Sequence, residues 1–231
     1  DFSRAWRGVA SETLVRDRMA SLTHRVAWND SATTTSFLQW EETDFRSGNV
    51  SGHDALTFHT HSTLEFDRQN LTFGYEYRFE RTRHDPDRLP GSTDTRPERW
   101  HQSLFVEGDL KLTPDLTLTL GLRGDRNENY GSTLTPRGWL VWNLSPELTL
   151  KAGIGSGYRV PALKQADDDV AEPTGGDGRS RDRGNSTLRP ERSTSYEIGL
   201  LWERPSGLRF GAALFHTSFE DRISRADLCR T

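Results

Sequence analysis

A membrane-spanning, antiparallel up-and-down β-barrel is the fold class this sequence predicts, and three observations predict it. Strand-like runs of 11–16 residues follow one another with almost no helical period. Within the runs, apolar and polar residues alternate, so one face is oily and the other wet. The connections take turns between short and long, as they do when the two ends of a barrel face different compartments. Ordinary globular strands run about 5–6 residues, whereas a strand crossing a bilayer needs roughly 9–11.

Ten runs qualify. Leu14 to Asn29 and Thr33 to Arg46 are joined by "DSAT", and "SGNVSG" leads on to His53 to Phe66. After "DRQN" comes Leu71 to His84. Its Leu71, Phe73, Tyr75, Tyr77 and Phe79 lie on one face, and its Thr72, Gly74, Glu76, Arg78 and Glu80 on the other. "DPDRLPGSTDTRP" leads to Glu98 to Leu112, with Leu104, Val106, Leu110 and Leu112 opposite Glu107, Asp109 and Lys111. "TPD" leads to Leu116 to Glu128, whose first four leucines alternate with Thr117, Thr119, Gly121 and Arg123. "NENYGST" precedes Leu134 to Leu144, and "SPE" precedes Leu148 to Arg159. A polar stretch from Pro161 to Pro190 separates the last two runs, Glu191 to Glu203 and Leu208 to Ile223, which "RPSG" joins. The second and tenth runs carry apolar residues on both faces. Lipid tails covering the oily side explain why no second layer is encoded. Trp28, Trp40, Trp100, Trp142 and Trp202 fall toward strand ends, where interfacial girdles form.

Composition agrees. Only 32% of residues are hydrophobic and 28% are charged, yet the net charge is −4. Few apolar residues with many charges resembles disorder, but the strict patterning and the 10% aromatic content exclude it. No basic block points to nucleic acid. Lysine occurs only at Lys111, Lys151 and Lys164, so arginine supplies the remaining cations. The single cysteine, Cys229, excludes zinc and redox spacings. No apolar stretch reaches the length of a membrane helix, and "DFSRAWRGVA" has no leader pattern. The start reads as mid-structure, so the chain is expected to be a piece. No nucleophile sits beside a base, and "GIGSGY" falls within a strand rather than before a helix, so neither catalysis nor phosphate cradling is expected.

Three segments, in order, carry a resemblance: Gly121-Leu122-Arg123-Gly124-Asp125; Thr135-Pro136-Arg137 with Leu150-Lys151-Ala152-Gly153 and Gly157-Tyr158-Arg159-Val160-Pro161; and Gly184-Asn185, Leu188-Arg189-Pro190-Glu191 and Ser195-Tyr196-Glu197-Ile198-Gly199. Over roughly half the chain they resemble TonB-dependent outer-membrane receptors, and the loop spacing is similar to their catecholate siderophore branch. The resemblance implies a bacterial outer-membrane barrel of about 22 strands around a plug. Residues 1–231 would be a partial barrel domain with about ten strands and no plug. The whole would bind ferric siderophores and import them with energy from the TonB complex, reached through the missing plug. The resemblance implies no enzyme activity and no cofactor, the ferric siderophore being cargo. The alternatives are a barrel for heme or cobalamin, or a barrel-type surface enzyme or adhesin; a soluble β-sandwich is a further alternative.

Ligand-contacting candidates are Arg126, Tyr130 and Arg159, with Arg179, Arg181 and Arg183 in the longest loop, where clustered charge would concentrate an anionic chelate. The plainer reading of the same loop is a solvated, mobile segment whose mixed charges neutralise one another. Asp167, Asp168 and Asp169 lack the spacing of a calcium loop. His59 and His61, with His53 nearby, share a lumenal face; polar filling is the expectation and no metal site is assigned. Siderophore receptors carry loop disulfides, which would give Cys229 a partner beyond Thr231.

Overall fold

The computed structural model describes residues 14–46, 50–84, 96–174 and 180–226. All ten predicted runs are strands: β1 (Leu14–Asn29), β2 (Ala32–Arg46), β3 (Val50–Glu65), β4 (Gln69–His84), β5 (Glu98–Thr113), β6 (Leu116–Asn127), β7 (Gly131–Ser145), β8 (Leu148–Arg159), β11 (Glu191–Glu203) and β12 (Arg209–Glu220). A short hairpin, β9 (Ala171–Thr174) with β10 (Ser180–Arg183), lies in the connection between β8 and β11. The ten long strands form one antiparallel sheet in chain order, open between β1 and β12 among the described residues. It is a segment of barrel wall.

The turns at one end follow from local chemistry. Asn29 Oδ1, Thr113 Oγ1 and Ser145 Oγ each accept the amide N–H two residues on, at 2.9, 3.3 and 3.3 Å. Such side chains close a tight turn by imitating a backbone carbonyl. Each of these three hairpins also has a register shift in its last residues before the turn, which sharpens local twist. At the opposite end the expected regularity fails in part. The connections after β2 and β6 contain three residues each, so strict alternation of short and long does not hold. Strand propensity carries the ladders further than turn-forming residues suggested. Asn127 Oδ1 accepts from Asn129 N–H at 3.0 Å and Gly131 takes φ 70°, closing "NENYG" tightly.

The burial pattern is inverted relative to a soluble protein. Buried polar residues are Arg99, Ser103, Asp125 and Asn127, whereas Leu104, Leu134 and Leu214 are 66–76% exposed. The polar side chains crowd together on the concave face, and the leucines fan out on the convex one. That asymmetry is what a lipid-embedded wall requires. The register places all five girdle tryptophans outward: Trp28, Trp142 and Trp202 toward the short-turn end, Trp40 and Trp100 toward the other. The inward Trp139 lies across Gly153, where any Cβ would overlap its ring.

Candidate functional site

On the inward face, antiparallel neighbours bring alternate residues of β4, β5 and β6 side by side. Glu76, Arg78 and Glu80 from β4 meet Arg99 and His101 from β5, and Arg123, Asp125 and Asn127 from β6. Thr135, Ser156 and Arg159 complete the far side of a cleft of about 450 Å³ formed with this wall.

Nearly every charge in it is matched. Arg123 donates through Nη2 to Glu76 at 3.0 Å and through Nε to Asp125 at 2.9 Å. His101 Nε2 lies 3.0 Å from the same Asp125 oxygen. Arg78 reaches Glu41 at 2.7 Å and Thr57 at 3.1 Å. Arg99 donates to Glu80 at 2.5 Å. A charge this buried is tolerated only when paired and hydrogen-bonded, and along β4 the inward residues Glu76, Arg78 and Glu80 alternate in sign. Deeper in the wall His59 stacks between Phe37 and Phe105, with centroids 5.0 and 5.6 Å away. It also contacts Glu76 at 3.4 Å and His61 at 3.2 Å. The histidines fill the lumenal face, as expected.

The long connection is built onto this wall. Arg99 Nη1 donates 2.6 Å to the carbonyl of Pro161, one of the most buried residues among those described. Leu163, Val170 and Ala171 of the same connection are buried as well, and among the described residues Ala55 is the one other buried hydrophobic. Asn185 N–H donates to Gln165 O at 2.7 Å, and Gly184 N–H to Val170 O at 3.1 Å. A side chain at Gly184 would collide with the carbonyls of Lys164 and Asp167. Asp168 accepts from Ser186 N–H at 2.8 Å and from its hydroxyl at 2.5 Å. Those two bonds hold the Asp168 carboxyl below its usual range. Across its described residues the connection is thus held by local Asx-type bonds and a few buried apolar side chains.

The predicted contact residues disperse. Arg159 stands at the rim of the cleft, mostly exposed, with Nη1 on Glu191 at 3.1 Å. Tyr130 sits in the β6–β7 turn, partly buried, and that burial pushes its phenol up. Arg183 is turned onto the Asp168 carbonyl at 3.2 Å. Arg181 pairs through its backbone with Pro173, and Arg179 and Cys229 lie outside the described residues. Arg126 is a correction. It shares a face with Leu120 and Leu122 and rests over the outward Trp100 ring at 5.9 Å, away from the cleft. The alternation already visible at Leu116–Leu122 places position 126 outward, a signal the sequence reading did not carry far enough. What it missed altogether was Arg99, whose role depends on contact with a carbonyl 62 residues away.

The family description "TonB dependent receptor-like, beta-barrel" matches residues 3–231. The chain belongs to this family. TonB-dependent receptors reside in the outer membrane, and the relatives are receptors and transporters, not enzymes. An iron-regulated outer membrane virulence protein of Vibrio cholerae is 31% identical over 98% of this chain and 35% of its own length. The ferrienterobactin receptor of Escherichia coli is 26% identical over 96% of the chain and 36% of its own. Among solved structures, the siderophore receptor PirA of Pseudomonas aeruginosa superposes with a TM-score of 0.82, at 23% identity, over 91% of this chain and 40% of that one. A ferric enterobactin receptor from the same organism, crystallised with enterobactin, gives 0.79 at 25% identity, over 90% and 35%. The chain thus spans about a third of the length of the curated relatives it matches most fully.

Proposed function

We propose that this segment forms part of the wall and outer mouth of a receptor that binds ferric siderophores of the catecholate class and imports them with TonB-supplied energy. The observation that carries the reading is the pre-folded long connection docked beside an arginine-rich lumenal cleft, in a chain related along nearly its whole length to ferric enterobactin receptors. A ferric tris-catecholate is a compact anion with aromatic faces. The inward arginines are engaged by carboxylates, so they act as a graded lattice in which the anion competes with Glu and Asp for guanidinium N–H groups. Arg159 is the most open point of entry, because a single carboxylate occupies one of its five donors. The energy coupling rests on the family alone.

In the intact receptor, Arg159→Ala is expected to weaken ferric enterobactin binding about fivefold to tenfold at low salt, with a smaller effect at high salt. Radiolabelled iron uptake through the receptor should vanish when the proton gradient is dissipated. Unaltered uptake of every ferric catecholate in a strain lacking the receptor would overturn the assignment.

A further inference from the structure

The outward face carries a second concavity, of about 770 Å³, midway along the sheet. Its floor is Leu104, Gly124 and Leu134, three outward positions of β5, β6 and β7. Gly124 leaves a furrow: a Cβ there would already stand 3.3 Å from a Leu134 methyl. At the loop-side end the furrow is headed by Arg126 and Arg192. Each guanidinium lies over an aromatic ring, Arg126 over Trp100 at 5.9 Å and Arg192 over Tyr158 at 5.8 Å.

These two arginines differ from those inside. Arg78, Arg99 and Arg123 each have carboxylate partners. Among the described residues neither Arg126 nor Arg192 makes an ion pair, although both border a surface that meets hydrocarbon. An unpaired cation beside apolar surface is stable only where anions or water reach it. Just below them the exposed leucines require acyl chains. An apolar trough with two cations at its outer end matches one kind of molecule, an anionic lipid lying along the barrel. The furrow lies away from the open edges at β1 and β12, and on its β8 side the β7–β8 ladder stops at Arg137 and Gly155, short of Ser132 and Leu134.

We propose that this furrow is a binding site for a phosphorylated lipid of the outer leaflet. An acyl chain lies over Gly124 between Leu104 and Leu134. A phosphate bridges the N–H groups of Arg126 and Arg192, with Gln102 and Ser132 as neutral partners. Gln102 Oε1 already accepts the Tyr75 hydroxyl at 3.3 Å, which leaves its amide N–H groups for the headgroup.

The test uses the intact receptor in detergent with lipid A, phosphatidylcholine and inorganic phosphate as probes, read by native mass spectrometry and by titration. Retention of lipid A over phosphatidylcholine is expected, with a drop of about tenfold or more in lipid A affinity for the Arg126→Gln, Arg192→Gln double variant. Gly124→Leu fills the furrow while keeping both guanidiniums, and the same loss is expected. Inorganic phosphate in excess should displace little, since it lacks the chain. The heat-modifiable electrophoretic shift of a folded barrel checks each variant, and a conservative Arg126→Lys, Arg192→Lys pair is expected to retain about half or more of the lipid if Gly124→Leu fails to fold. Equal lipid A binding by wild type and charge variants, or full displacement by inorganic phosphate, would overturn the proposal. Ferric enterobactin affinity should be unchanged throughout, so this result stands or falls separately from the siderophore assignment.

Discussion

The two faces of β6 treat arginine in opposite ways. Inward, Arg123 is held by Glu76 and Asp125 and sits beside a buried carboxylate. Three residues further along β6 and facing outward, Arg126 lies over an aromatic ring and makes no ion pair among the described residues. The inward face crowds polar groups together, so every charge there requires a counter-charge within hydrogen-bond reach. The outward face meets lipid, and its charges can persist only near the headgroup level; there Arg18, Arg81 and Arg83 pair with Glu42, Asp54 and Asp44, whereas Arg126 makes no ion pair among the described residues. Along β6, arginine thus acts as mortar on one side and as an anchor on the other.

The comparison is tested most severely by placing a charge on each face at mid-strand. Leu120→Arg in the intact barrel is expected to cost about 3 kcal/mol of folding stability in lipid vesicles, while Thr119→Arg, its inward neighbour beside Asp109, should cost less than about 1 kcal/mol. Equal effects would mean that the leucine face does not meet hydrocarbon. Removing Arg99 probes the inward lattice and the docked connection together. Arg99→Ala leaves the Glu80 carboxylate and the Pro161 carbonyl without their donor, at a cost of about 2 kcal/mol once partial solvation is allowed for. Protease cleavage between residues 162 and 190 should accelerate, whereas Arg99→Lys should recover part of the protection.

The smallest effect is local and depends on pH. Asp168 has a depressed carboxyl pKa in the folded state, caused by its two bonds to Ser186. The stabilisation is therefore complete above the unfolded-state value and is lost as pH falls through the folded one. Amide exchange at Ser186 should stay slow from neutral pH down to the ordinary carboxylate range and quicken only below it. Asp168→Asn, which keeps an acceptor but does not titrate, should remove this dependence. Persistence of the transition in that variant would assign it to another group.

Much of the wall was readable from residue order. Leu116 to Leu122 and Leu148 to Ile154 alternate so regularly that the ten strands and their faces follow from the two-residue period. The same period also places Arg126 outside, since it continues the leucine series. The loop between β8 and β11 was less legible. Its Asp and Arg residues dominate the composition, and the few apolar positions that organise it, Pro161, Leu163, Val170 and Ala171, show no repeating pattern.

By itself the sequence determined the strand lengths, the sidedness of the leucines, the tryptophan belts and the family, because each is written in local periodicity or in contiguous motifs. Tertiary structure alone decided which arginines are neutralised and which are open, and that Arg99 ties the loop to the wall. Those facts depend on pairing between residues far apart in the chain. A charge pattern along one strand does not specify what will stand beside it on the next.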